Sequence, residues 1–204
     1  MIKDTDLSGG TYYLQKDKIN DVYGTMVGEV VEKIISQEQV TSGRSVDAKI
    51  SFGKVLTWLG LDTRIGGSLT RENAMSNEVI KELSYERKLL IALNALEKDG
   101  KCCDLNERQD IIKPTQKHIY FKGEANFSLR EEKSEQFLVE GIVENYKFKS
   151  FCSKEHIVSP SLSDFLLYLS MEEPEPTLDV FCAGYIMHQR EKSLFLTLYY
   201  IGGL

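Results

Sequence analysis

The feature that most constrains this chain is a change of hydrophobic period between its two halves. Ile19, Val22, Tyr23, Met26, Val27, Val30, Val31, Ile34 and Ile35 recur at steps of three and one. That spacing lines up one face of an α-helix. From His118 onward, apolar and polar residues alternate instead: Ile119, Phe121, Ala125, Phe127 and Leu129 against Tyr120, Lys122, Glu124, Asn126 and Ser128. A period of two belongs to a half-exposed strand.

The rest of the chain extends both patterns. Thr11–Leu14 has strand-forming residues, and Asp17 is the expected N-cap of the first helix. A short strand is expected over 46–52 and a short apolar helix over 54–61. A loop follows over 62–68, without the lysine and hydroxyl of a phosphate loop. A second long helix is expected over 70–98, stopped at Asp99-Gly100. The polar stretch 101–116 is the expected boundary between halves. In the second half, the apolar phase shifts near Glu144-Asn145, which predicts a bulge or a turn. A short helix over 161–171, an acidic linker over 172–176 and a C-terminal hairpin (180–187 and 194–201) complete the reading. Gly123, Gly141 and Gly184 each interrupt a strand, as at bends of a coiled sheet. The expected fold class is α+β: a mainly helical N-terminal lobe (1–113) packed on a small antiparallel, barrel-like sheet (114–204), as two lobes or as one compact domain.

The chain has 204 residues and a formal net charge of −6, which argues against a protein acting mainly through phosphate contacts. Its polar N-terminus lacks the apolar core of a secretion signal, so a cytoplasmic location is expected, with Cys102, Cys103, Cys152 and Cys182 as free thiols. Cys182 reads as core; Cys102 and Cys103 read as exposed after a helix end.

Chemistry-bearing motifs are sparse. Adjacent Cys102-Cys103 chelate one zinc poorly, and Cys152 with His156 lacks a second spaced pair, so no metal or cofactor is expected. A Cys152–His156 or Cys182–His188 dyad would need an orienting partner that the sequence does not supply. The acidic clusters Glu131-Glu132 and Glu172-Glu173 fall in turns, where carboxylates are solvated. Gly24 and Gly28, one turn apart on the first helix, are interface candidates for close packing or a homo-oligomer. Tyr120, Tyr146 and Phe148 are candidates for stacking against bases, should the second half form an oligonucleotide-binding type of barrel. Nearby Lys117, Lys122, Lys147 and Lys149 are interleaved with Glu124, Glu140 and Glu144, which weighs against that ligand.

The run Tyr12-Tyr13-Leu14-Gln15-Lys16-Asp17-Lys18-Ile19, continuing through Tyr23 to Gly28-Glu29-Val30-Val31-Glu32, resembles the opening of a family of uncharacterised bacterial proteins. In those a Tyr-Leu strand leads into a long helix carrying a glycine and an acidic residue. The resemblance covers about 30 residues, implies a bacterial or phage cytosolic origin and transfers no catalytic residues. The expected function is a non-enzymatic binding or regulatory module engaging a protein partner or small ligand, with no membrane. The alternatives are a small enzyme with a dispersed Cys/His site, and single-stranded nucleic-acid binding through the C-terminal sheet.

Overall fold

The computed structural model describes residues 2, 4–7, 9–28, 83–107, 111–129, 135–169 and 177–204. The segments expected over 46–52, 54–61, 62–68 and 172–176 lie outside the described residues, as do the end of the first helix and residues 70–82.

The alternating second half forms five strands: β3 (His118–Ser128), β4 (Gln136–Val143), β5 (Tyr146–Ser153), β6 (Thr177–Arg190) and β7 (Ser193–Gly203). Three consecutive antiparallel strands, β3, β4 and β5, are followed by a strand that returns to lie beside the first, since β6 pairs with β3. That return is a Greek key. β7 then pairs with β6 on one edge and, in parallel, with β5 on the other, which closes a five-stranded barrel. This is the topology of the oligonucleotide- and oligosaccharide-binding barrel. The chain is therefore mixed α and β, with strand dominant.

Two short strands lengthen the barrel's sheet. β1 (Thr11–Leu14) pairs antiparallel with the far end of β7, and β2 (Cys102–Asp104) pairs parallel with the start of β3. The polar stretch around 101–116 is thus partly ladder. Asn106 continues it with its side chain: Nδ2 donates to the Lys122 carbonyl (2.6 Å) and Oδ1 accepts from the Lys122 N–H (2.7 Å).

Strand parity sorts the barrel's side chains into two cores. Phe121, Phe127, Phe137, Val139, Tyr146, Phe148, Cys182 and Leu198 fill the interior. Tyr120, Phe181, Ala183, Tyr199 and Tyr200 point outward and are buried under helices. Two adjacent tyrosines share that outer side because Tyr199 is a bulge. The register runs Ala183↔Tyr200 and then Gly184↔Leu198, leaving Tyr199 unmatched. The Leu198 N–H is satisfied inside the barrel by Ser150 Oγ at 3.2 Å.

The covering helices are α1 (described over 16–28) and α2 (Tyr85–Lys98). Helix α1 begins at Lys16, so Asp17 sits inside the first turn rather than capping it. Of the long helix expected over 70–98, the described part does not run through Ser84. Ser84 is extended (φ −60, ψ 156) and its hydroxyl accepts from the Arg87 N–H at 3.2 Å, so α2 starts at Tyr85. Gly100 ends α2 with φ 68, as expected. The Lys88 ammonium donates to Asn20 Oδ1 (3.0 Å) and ties the two helices together. A separate, mainly helical N-terminal lobe is not shown by the described residues: two helices and two strands of this half lie directly on the barrel.

The expected helix over 161–171 is α3 (Pro160–Leu169). Its first residue is proline, which suits that position because the ring fixes φ and the missing N–H has no helical partner. Leu162 and Leu166, one turn apart, join the interior cluster at the end of the barrel where β5 stops. The phase change near Glu144-Asn145 is a two-residue turn between β4 and β5, with Glu144 at φ 51. No helix among the described residues is long and apolar enough to cross a membrane.

Candidate binding face and groove

Because helices cover the start of β3, the middle of β6 and the far end of β7, the outer wall left open among the described residues is formed by β4, β5 and the first half of β7. The register places its side chains in rows. His188, Phe195, Lys149 and Glu140 stand side by side on β6, β7, β5 and β4. Beside that row run Arg190, Ser193, Lys147 and Ile142. On its other side Phe151 faces Leu138. Phe195 is 46% exposed, Phe151 38% and Ile142 62%, so two aromatic rings flank Lys149 at the surface. The Lys149 ammonium lies 2.7 Å from Glu140 Oε2.

At the end of the barrel opposite α3, a half-open groove of about 720 Å³ lies between residues 111–117 and the β6–β7 hairpin. Lys113, Lys117, His188 and Lys192 line it together with Ile112, Ile186 and Met187. The hairpin turns on two residues, with Glu191 at φ 52. A non-glycine residue in this region is uncommon and marks local strain.

The residues singled out from sequence are dispersed. Tyr146 and Phe148 lie inside the barrel and Phe148 meets Phe121 at 4.6 Å. Tyr120 is buried under α2, stacked on Phe181 at 6.1 Å, and its hydroxyl donates to Glu97 Oε1 at 3.2 Å. None of the three offers a ring face for stacking. The physical reason is parity on β5: Tyr146 and Phe148 share the inward phase, and the outward residues are Lys147, Lys149 and Phe151. Reading the lysines as the exposed phase would have pointed to Phe151; Phe195 is the outward residue between Leu194 and Leu196. Gly24 and Gly28 are exposed on α1, and among the described residues no atom lies within 4 Å of a Cβ built at either.

The cysteines do not form a reactive centre. Cys102 and Cys103, expected at the surface, are buried in β2. Cys182 is buried in the barrel as expected. Burial pushes the Cys103 and Cys152 thiols up to about 12 and raises Cys102 and Cys182 as well. A thiol held protonated at neutral pH is a weak nucleophile. Cys152 Sγ lies 3.7 Å from Ser150 Oγ inside the barrel, while the His156 ring meets Tyr13 edge-on at 5.8 Å. Among the described residues no three His, Cys, Asp or Glu side chains gather where a metal ion could be held.

No protein-family model matches the chain, and no curated protein matches it. Among solved structures, a provisionally assigned aspartyl-tRNA synthetase from Leishmania major Friedlin is similar over 50% of this chain and 20% of its own, at 10% identity and a TM-score of 0.27. That likeness carries no argument about fold or function, and the chain spans about a fifth of that protein's length.

Proposed function

We propose that this chain is a non-enzymatic binding module whose working surface is the outer face of β4, β5 and β7, and that its ligand is single-stranded nucleic acid. The observation that carries the reading is the pair Phe195 and Phe151, both half-exposed, flanking Lys149 on adjacent strands. Aromatic rings at the surface stack bases regardless of sequence, and lysines between them meet the phosphates. Lys147, Arg190 and Lys192 add positive charge beside the rings, which local charge the net −6 does not reveal. Barrels of the oligonucleotide-binding type use this face for their ligands, and that analogy of fold supports the reading. In this reading the helices of the N-terminal half are a wall that closes the opposite side. A cytosolic setting suits four cysteines that form no disulfide with one another.

Fluorescence anisotropy with a labelled oligothymidine of roughly 12 nucleotides, one barrel's footprint, tests this. Saturable binding that weakens steeply with salt is expected. Phe151→Ala and Phe195→Ala should each weaken it by roughly 5- to 150-fold, the loss of about 1–3 kcal/mol of stacking. No binding at low salt by the folded protein, or binding by both variants as tight as the parent's, sinks the nucleic-acid ligand.

A further inference from the structure

The groove at the end of the barrel opposite α3 adjoins the face and shares His188 and Lys192 with it, while Ile111, Lys113, Lys117 and Met187 line the groove alone. We infer that it is a second binding site, for a small amphipathic anion with an apolar body and a single phosphate or carboxylate head. Three observations lead there.

The first is charge. Lys113, Lys117 and Lys192 line the groove against one carboxylate, Glu191, in a chain whose formal net charge is −6. Among the described residues none of the three ammonium groups has a carboxylate within 4 Å. An anionic head entering the groove would gain charge-assisted hydrogen bonds there.

The second is apolar surface left in water. Met187 is 65% exposed and Ile111 is 76% exposed, and both line the groove above the buried Ile112 and Ile186. Covering such surface releases about 25 cal/mol per Å². A methionine also adapts its shape to what it meets. At about 720 Å³ the groove lies within the roughly 300–1,000 Å³ range of small-ligand sites.

The third is backbone. On β6 the register passes from Ile186↔Leu196 to His188↔Phe195, so Met187 is an extra, unmatched residue. The bulge turns Met187 and His188 outward in succession. Bulges occur preferentially beside functional sites, where they re-aim a side chain.

The probe is 8-anilinonaphthalene-1-sulfonate, an aromatic body with one anionic head, titrated into the native full chain and followed by fluorescence. Saturable one-to-one enhancement is expected, displaced by decanoate or by adenosine monophosphate. Displacement by decanoate assigns the carboxylate head and displacement by the nucleotide the phosphate. The double variant Lys113→Glu/Lys117→Glu should weaken the probe by at least about tenfold. Met187→Asp, which leaves both lysines in place, should weaken it as well. Phe151→Ala/Phe195→Ala should bind the probe within about twofold of the parent, whatever becomes of oligonucleotide binding. All substituted residues are exposed, and an unchanged thermal midpoint checks that the fold is kept. No saturable enhancement, displacement by neither competitor, or equal weakening in the groove and face variants overturns the inference.

Discussion

Among single residues, His118 is held away from its ordinary state. Burial, with the Lys101 ammonium adding to it, lowers the imidazole from 6.5 to about 4. Its ring packs edge-on against Tyr185 at 5.2 Å, and its Nδ1 lies 3.5 Å from the Tyr199 hydroxyl. Between pH 6.5 and 4 the unfolded chain takes up a proton that the folded chain refuses. The stability contributed by the neutral ring is therefore complete above pH 6.5 and is lost as pH falls towards 4. Asp104 works in the opposite sense, because burial raises its carboxyl and the folded state keeps that proton longer. The comparison must accordingly be with His118→Gln, which removes one titration and leaves the other. Denaturant unfolding should show the parent losing about 2 kcal/mol relative to the variant between pH 7 and 4.5, a figure set below the full shift because the ring is partly exposed. A difference that stays flat with pH would remove His118 from the account.

For the strands, the glycines decide how closely neighbours approach. A Cβ on Gly141 would stand 2.7 Å from the Glu124 carbonyl oxygen and 2.9 Å from the Phe148 ring. A Cβ on Gly123 would meet only Val143 Cγ2, at an ordinary 3.5 Å. Gly141→Ala should therefore cost about 1–3 kcal/mol, while Gly123→Ala should stay within about 1 kcal/mol of the parent. Equal thermal midpoints for the two variants would contradict this. Sequence alone treats the two alike, since each sits between alternating apolar residues. Alternation reveals that β3 to β7 exist and nearly where they end, because a two-residue period survives any tertiary setting. It does not reveal which phase faces inward when aromatic residues occupy both, which is why Tyr146 and Phe148 read as surface candidates. The start of α2 was equally hidden: Ser84 interrupts an apolar pattern that continues on both sides of it.

At the scale of the molecule, both core clusters of the described residues draw on both sides of the polar stretch. Tyr13, from β1, belongs to the barrel's interior cluster, and Tyr120, Phe181 and Tyr200 of the barrel belong to the helical one. The Asn94 amide in α2 clasps Ile2 by two hydrogen bonds, of 3.0 and 3.2 Å, adding a further tie within the same unit. A fragment of residues 114–204 would expose the outward aromatic row and leave the far edge of β7 unpaired. It should show no cooperative unfolding transition by circular dichroism, where the full chain shows one. A fragment that melts sharply near the parent's midpoint would restore the two-lobe view. That topology was only half legible in the sequence, because β1 and β2 are too short to announce the partners they pair with.

The pairing of β1 with β7 also has a bearing on time. Thr11 and Tyr200, whose hydroxyls lie 3.4 Å apart, are 189 residues distant along the chain. During synthesis β1 must wait for the 189 residues that separate these partners to emerge before its template appears, and contacts of such long separation form slowly. Until then the tyrosines of its segment have no place to go. A newly made copy is exposed to capture by chaperones or by its neighbours in proportion to that delay.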